Sequence, residues 1–365
     1  MYYYAETNYY DHDGLVTSGG KGRDDYFEML RRCGLERIEI PTLKKCRRVS
    51  APGRLGMELR LAAVWRKALK GLGRGDVLFI HNPPSEKFVA FPEVIAKAVR
   101  RGCRVAVIVF DLENYLKPYY SRTQSIKYML SLRAENKLLR MADFIMVHND
   151  RMKETVVSMG CDPDSIASVG VMDYLRDNPP DRESIARRTG RTLPLVFCGN
   201  LMPEKAGFLS NLPDELTISL YGPGYQGGNS TNIDYKGSVP SVELMDVISG
   251  SFGLVWDGIS SDTGRGTGGE YLRINNPHKF ALYVASGLPV IVWKESAMAD
   301  MVIKENIGFA VNSLAEVKEL IDGMTDEEYA AMRDNAIRIG CTMRRGDHIR
   351  AAVNQIIRMA ESGDR

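Results

Sequence analysis

Hydrophobic positions along the chain fall in short unbroken runs, such as DVLFI at 76–80, RVAVIVF at 104–110, LVFC at 195–198 and VIVW at 290–293. Amphipathic stretches separate them. A run with no polar alternation predicts a strand buried on both faces, and that in turn predicts a parallel sheet covered by helices. The first half gives strands at 2–7, 37–40, 76–80, 104–110 and 144–147, with helices at 24–33, 54–72, 91–101, 125–141 and 151–160. The alternation lapses at 177–193 (DNPPDRESIARRTGRTL), where paired prolines and dense charge predict an interdomain linker. It resumes with strands at 195–198, 217–221, 254–256 and 290–293, and helices at 243–249, 277–286, 297–305, 315–324, 326–339 and 348–361.

The predicted class is α/β, with two Rossmann-like doubly wound parallel sheets. The first domain spans 1–176, the linker 177–193 and the second domain 194–345. A C-terminal helix at 346–365 has the length to pack back on the first domain. Two such sheets imply a cleft, and α/β sheets hold ligands outside the carboxyl ends of their strands.

A chain of 365 residues is too long for one core. Its 44% apolar and 26% charged residues are ordinary globular composition. No run of 18 apolar residues exists, and MYYYAETNYYDHDG lacks the basic-then-apolar order of a signal peptide. A cytoplasmic location is therefore expected. The six cysteines form no CxxC pair and read as reduced thiols. Charge is uneven. Residues 1–190 hold 32 Lys+Arg against 24 Asp+Glu, a net of +8, and residues 191–365 hold 16 against 22, a net of −6. The first half is the one that faces something anionic.

The most informative stretch is 250–293, which reads as strand, glycine-rich loop, helix entry, Gly-Leu-Pro turn and strand. Pro277 suits a first helical position, so His278 and Lys279 fall in the first turn. A lysine there opposes the helix dipole unless an anion sits on the helix end. Two readings fit: a phosphate ligand, or an exposed surface lysine. The loop at 257–276 is twenty residues rich in Gly, Ser and Asn, and carries Asp257, Glu270, Asn275 and Asn276. Loops of that length are functional or disordered. Asp257 and Glu270 have the chemistry to accept hydrogen bonds from ribose or sugar hydroxyls.

Asn200 and Lys205 follow the strand at 195–198 and stand at its carboxyl end. Tyr221 and Tyr235 each neighbour glycine at a strand end, where an aromatic serves either as a nucleobase platform or as packing. The segment 14–23 (GLVTSGGKGR) fails the P-loop pattern, because Gly20 stands where lysine is required. As a flexible loop it offers Thr17, Ser18 and Lys21 to a ligand. Asp111 and Glu113 end the most apolar strand, and a partly buried carboxylate there has a raised pKa suited to a general base. Asp11, His12 and Asp13 are further base candidates. The histidines lack ligand-like spacing, so no metal site is expected.

The run 44–74 carries ten Lys/Arg against Glu58 alone, interleaved with Leu55, Leu59, Leu61, Ala62, Val64, Trp65 and Leu69. It fits a basic amphipathic helix on an anionic leaflet, or a domain helix with a solvated face. No stacking motif of a nucleic-acid reader accompanies it, so no nucleic acid partner is expected.

FGLVWDG, GEYLRINNPHKFALYVASGLPVIVW and NIGFAV resemble bacterial β-1,6-galactofuranosyltransferases and the nucleotide-sugar-synthetase-like glucosyltransferases related to them. The similarity is densest over 250–312. The resemblance implies a GT-B fold, a UDP-sugar donor, no cofactor, and metal-independent inverting transfer to a lipid-linked glycan, with a homo-oligomer compatible. It implies Lys279 on the diphosphate and Tyr235 on the uracil. Asn200 and Lys205 then line the donor pocket, Asp257 and Glu270 approach the sugar, and Thr17 and its neighbours close over the donor. Phe110-Asp111 stands where the family often has His-Asp, which leaves Asp111 or Glu113 as base. Three alternatives remain: a UDP-glucose or other UDP-hexose donor, an inactive sugar-nucleotide-binding subunit, and a dinucleotide oxidoreductase. The missing GxGxxG disfavours the last.

Overall fold

The computed structural model describes residues 1–7, 18–42, 51–84, 88–116, 126–227, 231–266 and 268–363. The chain forms two compact units. One comprises Met1–His12, Tyr26–Gly170 and Ile349–Arg365, and the other Asp13–Asp25 and Val171–His348.

The first unit holds six parallel strands: β1 (Tyr2–Thr7), β2 (Glu36–Ile40), β3 (Val77–Asn82), β4 (Arg104–Val109), β5 (Phe144–Val147) and β6 (Ile166–Ser168), in spatial order β2-β1-β3-β4-β5-β6. The central strands β3 and β4 are buried almost throughout, as their unbroken apolar runs require. The C-terminal helix, Asp347–Ser362, enters this unit at Ile349 and buries Ile349, Ala352, Val353 and Ile356. Arg104 of β4 donates from Nη1 to the Ala360 carbonyl at 2.6 Å.

The second unit holds β7 (Leu195–Cys198), β8 (Ile218–Tyr221), β9 (Ile233–Tyr235), β10 (Gly253–Val255), β11 (Val290–Trp293) and β12 (Gly308–Val311), ordered β12-β11-β10-β7-β8-β9 and parallel. The chain winds outward from β7 through β8 to β9, then returns beside β7 and winds the other way. The point where the order reverses lies between β7 and β10. The Asp326–Arg345 helix packs on the His278–Ala285 helix, starts from a Thr325/Glu328 capping box and ends at Gly346, whose φ of 75° suits a residue without a side chain.

Four expectations need correction. The segment 177–193 is no open linker. It carries a helix, Arg182–Arg188, capped by Asp181 and anchored by buried Ile185, and it belongs to the second unit. The glycine-rich segment 14–23 is not all loop, since residues from Ser18 onward form the first turns of the Ser18–Arg32 helix. Pro277 is the N-cap rather than the first helical residue, so the helix runs His278–Ala285. Trp65 contributes nothing to an outer face. It is buried, with its ring edge-on to Phe91 at 4.8 Å. Among the described residues no helix is long and apolar enough to cross a membrane.

Candidate functional site

The reversal point between β7 and β10 is where a doubly wound sheet opens a crevice at its carboxyl edge. Gly222, just past β8, has φ of 140°, and a Cβ there would lie 1.8 Å from the Gly199 carbonyl oxygen past β7. Only glycine permits that approach. The loop beyond β10 is tied to the same edge: Gly258 N–H donates to the Lys205 carbonyl, and Phe208 N–H to the Gly258 carbonyl.

These ties gather two lysines around one carboxylate. Lys279, in the first turn of the His278–Ala285 helix, donates from Nζ to Asp257 Oδ1 at 2.7 Å and to the Trp256 carbonyl at 2.8 Å. Lys205 Nζ stands 3.8 Å from Asp257 Oδ2. The Lys279 side chain is 12% exposed, so it is not a surface lysine. Its ammonium lies 4.3 Å from the centre of the Phe197 ring, a cation–π distance. Burial lowers its pKa, and Asp257 opposes that shift. Two ammonium groups on one carboxylate leave a surplus positive charge beside a helix N-terminus, an arrangement suited to an anion. Cys198 next to this cluster is no nucleophile, because burial pushes its thiol up to about 12.

His278 faces the start of the Ser18–Arg32 helix. A Cβ on Gly22 would meet His278 Cδ2 at 2.8 Å, and the Tyr174 ring stands 5.1 Å from the imidazole. Lys21 is held away from any ligand. Its ammonium bonds to Asp25 and to the Leu175 carbonyl at 3.0 Å, and lies 4.7 Å from the Tyr174 ring centre. Asp25 Oδ2 accepts from Leu175 N–H at 3.1 Å. Burial raises Asp25 to about 6 against the pull of Lys21. Lys21 therefore positions a helix rather than offering a free cation. Ser18 opens that helix, with its side chain outside the described residues. Asp13 and Thr17, like Asp11 and His12, lie outside the described residues altogether.

Tyr235 ends β9 with 43% exposure. Its hydroxyl donates to the Gly222 carbonyl at 3.0 Å, and its ring pairs with Tyr225 at 5.0 Å. This aromatic pair, with Tyr235 exposed and Tyr225 half-buried, is a fitting platform for a flat ring beside the close glycine approach. Tyr221 is different: it is buried packing. Asn200 spends its side-chain oxygen on Met202 N–H at 2.9 Å, forming the turn into the Pro203–Ala206 helix. Asn276 is buried immediately before Pro277, the N-cap of the His278–Ala285 helix. Glu270 turns elsewhere. It pairs with Arg273 at 2.7 Å and accepts from Gly266 N–H, so its carboxylate does not join the Asp257 cluster.

Asp111 and Glu113 belong to the first unit, past the end of β4. Glu113 is buried, and its N–H donates to Glu135 Oε1 at 3.0 Å. Glu135 also accepts from Asn82 Nδ2 at 2.9 Å. Glu135, Asp25 and Tyr174 escaped the sequence reading. One signal existed for Glu135: it shares helical phase with Leu138 and Leu139, an acid on an apolar stripe. Among the described residues no three His, Cys, Asp or Glu side chains stand close enough together to hold a metal.

The glucosyltransferase 3-like family matches in two parts, its N-terminal domain over residues 3–170 and its C-terminal domain over 195–356. A β-1,6-galactofuranosyltransferase of Escherichia coli K12, WbbI, is 33% identical over 221 residues, 60% of this chain and 64% of that protein. The chain thus aligns with just under two thirds of that relative. Glucosyltransferase 3 of Streptococcus gordonii is 24% identical over 76% of this chain and 78% of its own. Among solved structures, sucrose-phosphate synthase of Thermosynechococcus elongatus superposes with a TM-score of 0.66 at 11% identity, covering 99% of both chains. Anabaena HepE, solved in complex with UDP-glucose, superposes at 0.59 and 13% identity, again over 99% of both chains. At such identities the likeness shows the fold, which is GT-B.

Proposed function

The chain belongs to the glucosyltransferase 3-like family, a family of UDP-sugar glycosyltransferases, and from that membership we propose that it moves galactofuranose from UDP-galactofuranose to a sugar hydroxyl of a lipid-linked surface-polysaccharide precursor. The observation that carries the donor half of this reading is the Lys205–Asp257–Lys279 cluster at the reversal point of the second sheet. A diphosphate entering there replaces Asp257 as the partner of Lys279, and the N–H groups of the His278–Ala285 helix add to its binding. Tyr235 takes the uracil on its exposed face.

Transfer is a single displacement with inversion and without metal. The acceptor oxygen attacks the anomeric carbon, the bond from that carbon to the β-phosphate oxygen breaks, and UDP leaves with the electron pair. Lys279 stabilises the charge that develops on the departing phosphate. The acceptor proton goes to a carboxylate of the first unit, for which Asp111 is our choice. The galactofuranose assignment is supported by the 33% identical relative. UDP-glucose is the second reading, favoured by the longer match to a glucosyltransferase.

Peripheral contact with an anionic leaflet is part of the proposal. The Ala51–Ala68 helix exposes Leu55, Leu59, Arg60, Arg66 and Lys67, with Lys70 just beyond it. Its single acid, Glu58, is occupied by Val89 N–H at 2.9 Å. Residues 44–50 of the basic run lie outside the described residues.

A panel of UDP-sugars tested for thermal stabilisation ranks the donors, because a ligand that binds only the folded chain raises Tm by mass action. UDP-galactofuranose is expected to stabilise most. Equal or greater stabilisation by UDP-glucose favours the second reading, and no stabilisation by any UDP-sugar removes both.

A further inference from the structure

Strands β7 and β10 flank the reversal point, yet among the described residues they pair only at Val196 and Gly253. Val196 N–H donates to the Phe252 carbonyl at 2.8 Å, so the next N–H on that side of β7, from Cys198, falls to the Leu254 carbonyl if the parallel ladder continues. It goes elsewhere. Cys198 N–H donates to the Tyr283 hydroxyl at 2.7 Å. We propose that Tyr283 is a positioning residue of the donor site: its hydroxyl stops the β7–β10 ladder at Cys198 and so keeps the crevice open beside Lys279.

Tyr283 is fully buried in the His278–Ala285 helix and is held on both strands. Its ring lies on Gly253 of β10, where a Cβ would stand 2.2 Å from Tyr283 Cγ, so the ring fills the room that a side chain on β10 would need. Its hydroxyl reaches β7, accepting from Cys198 N–H and donating to the Cys198 thiol. Burial raises its pKa well above the ordinary tyrosine value, so the proton stays on the hydroxyl. Tyr283 follows Lys279 by one helical turn, and the two side chains share a face of the helix, with Lys279 nearer the N-terminus. The surroundings of Lys279 come from both strands. Phe197 of β7 gives its ring at 4.3 Å, and the end of β10 gives the Trp256 carbonyl at 2.8 Å and Asp257 at 2.7 Å. Closing Cys198 N–H onto the Leu254 carbonyl would draw these two sets of partners together, across the space a diphosphate needs beside the ammonium. Tyr329 provides the contrast. It is also buried, but its hydroxyl donates to the Ser251 carbonyl at 2.6 Å, at the amino end of β10 and away from the crevice.

This inference rests on the donor-site reading, and its test separates the two. Calorimetry of UDP and of inorganic pyrophosphate is run on the intact chain, with thermal denaturation of the same samples. Tyr283→Phe keeps the ring and removes the hydroxyl, and is expected to weaken both ligands about tenfold. Tyr329→Phe removes a buried hydroxyl beside the same strand, and is expected to lower Tm comparably while leaving both affinities unchanged. A Tyr283→Phe protein that loses Tm but no affinity overturns the proposal. So does a Tyr329→Phe protein that loses as much affinity as Tyr283→Phe. A wild type that binds neither ligand sinks the donor reading and this inference together, whereas wild-type binding that Tyr283→Phe retains in full sinks this inference alone. If Tyr283→Phe does not fold, amide exchange on the wild type decides. Saturating UDP is expected to slow the Cys198 amide about tenfold more than the Ile218 amide of β8, because a ligand on Lys279 pins the helical turn that carries Tyr283. Equal slowing of the two amides overturns the proposal.

Discussion

Lys279 gives its ammonium to Asp257 at 2.7 Å, so the cation assigned to the donor diphosphate already has an internal anion as partner. The two roles compete. Inorganic pyrophosphate separates them, because it has phosphates and no ribose. Asp257→Asn releases both Lys279 and Lys205 and is expected to tighten pyrophosphate by about tenfold, the value of one charge-assisted bond of about 1.4 kcal/mol. Lys279→Ala is expected to weaken pyrophosphate and UDP by about a hundredfold. Calorimetry reads both. Unchanged UDP affinity in Lys279→Ala would falsify the assignment.

Tyr235 offers an independent check on the same site. Its hydroxyl holds Gly222, while its ring is exposed and paired with Tyr225. Tyr235→Ala removes the stacking surface and is expected to lower UDP affinity by about 1–3 kcal/mol, the range for base–aromatic stacking. Pyrophosphate affinity should stay as it was. A parallel loss for both ligands means that Tyr235 supports the loop and does not hold the base.

Much of this architecture was legible because burial leaves a plain mark. Strands β4 and β11 lie between helices on both faces, so RVAVIV and VIVW carry no polar alternation. Strands β6, β9 and β12 are edges of three or four residues with half-buried positions, and short mixed runs such as Ile233–Tyr235 carry no such mark. Lys279 was legible through its place at a helix entry. Its partner at rest was not, because Asp257 lies 22 residues away and meets it only through the turn past β10. The SGGKG run reads as loop by propensity, yet it is helical, since Gly22 packs on His278 and Lys21 finds Asp25 one turn on. Tertiary contact overrode local preference there.

Gly22 makes that override testable. Glycine to alanine inside a helix ordinarily stabilises by about 1 kcal/mol. At Gly22 the added methyl meets the imidazole of His278 at 2.8 Å. Gly22→Ala is therefore expected to show no gain in Tm and to reduce UDP affinity severalfold by displacing the residue next to Lys279. A Tm rise of several degrees with unchanged UDP binding shows that the packing is loose and the inference about His278 wrong.

The basic helix makes a prediction about surfaces. Each Lys or Arg near an anionic leaflet contributes about 1 kcal/mol, and that contribution fades with salt. Exposed Leu55 and Leu59 add apolar area along the same face. Wild-type protein is expected to float with vesicles containing phosphatidylserine at low salt and not with neutral vesicles. Replacing both leucines by aspartate should abolish flotation and leave UDP affinity intact. Absence of wild-type flotation on the anionic vesicles retires the membrane contact.

His148 gives the first unit a pH response with a definite sign. It is buried at the end of β5, and burial lowers its pKa from 6.5 to about 4. The folded state therefore binds this proton less readily than the unfolded chain. Its contribution is present above pH 6.5 and is lost as pH falls from there toward 4. Between pH 7.5 and 5 the loss amounts to about 2 kcal/mol. Asp25 in the second unit acts in the opposite sense, because its raised pKa of about 6 favours the fold as pH falls through that value. The histidine is isolated by comparison with His148→Gln, which cannot take up the proton. Denaturant titrations at the two pH values should show the wild type losing about 2 kcal/mol more than the variant. Parallel losses in the two proteins mean that His148 reaches water, or stays protonated, in the folded chain.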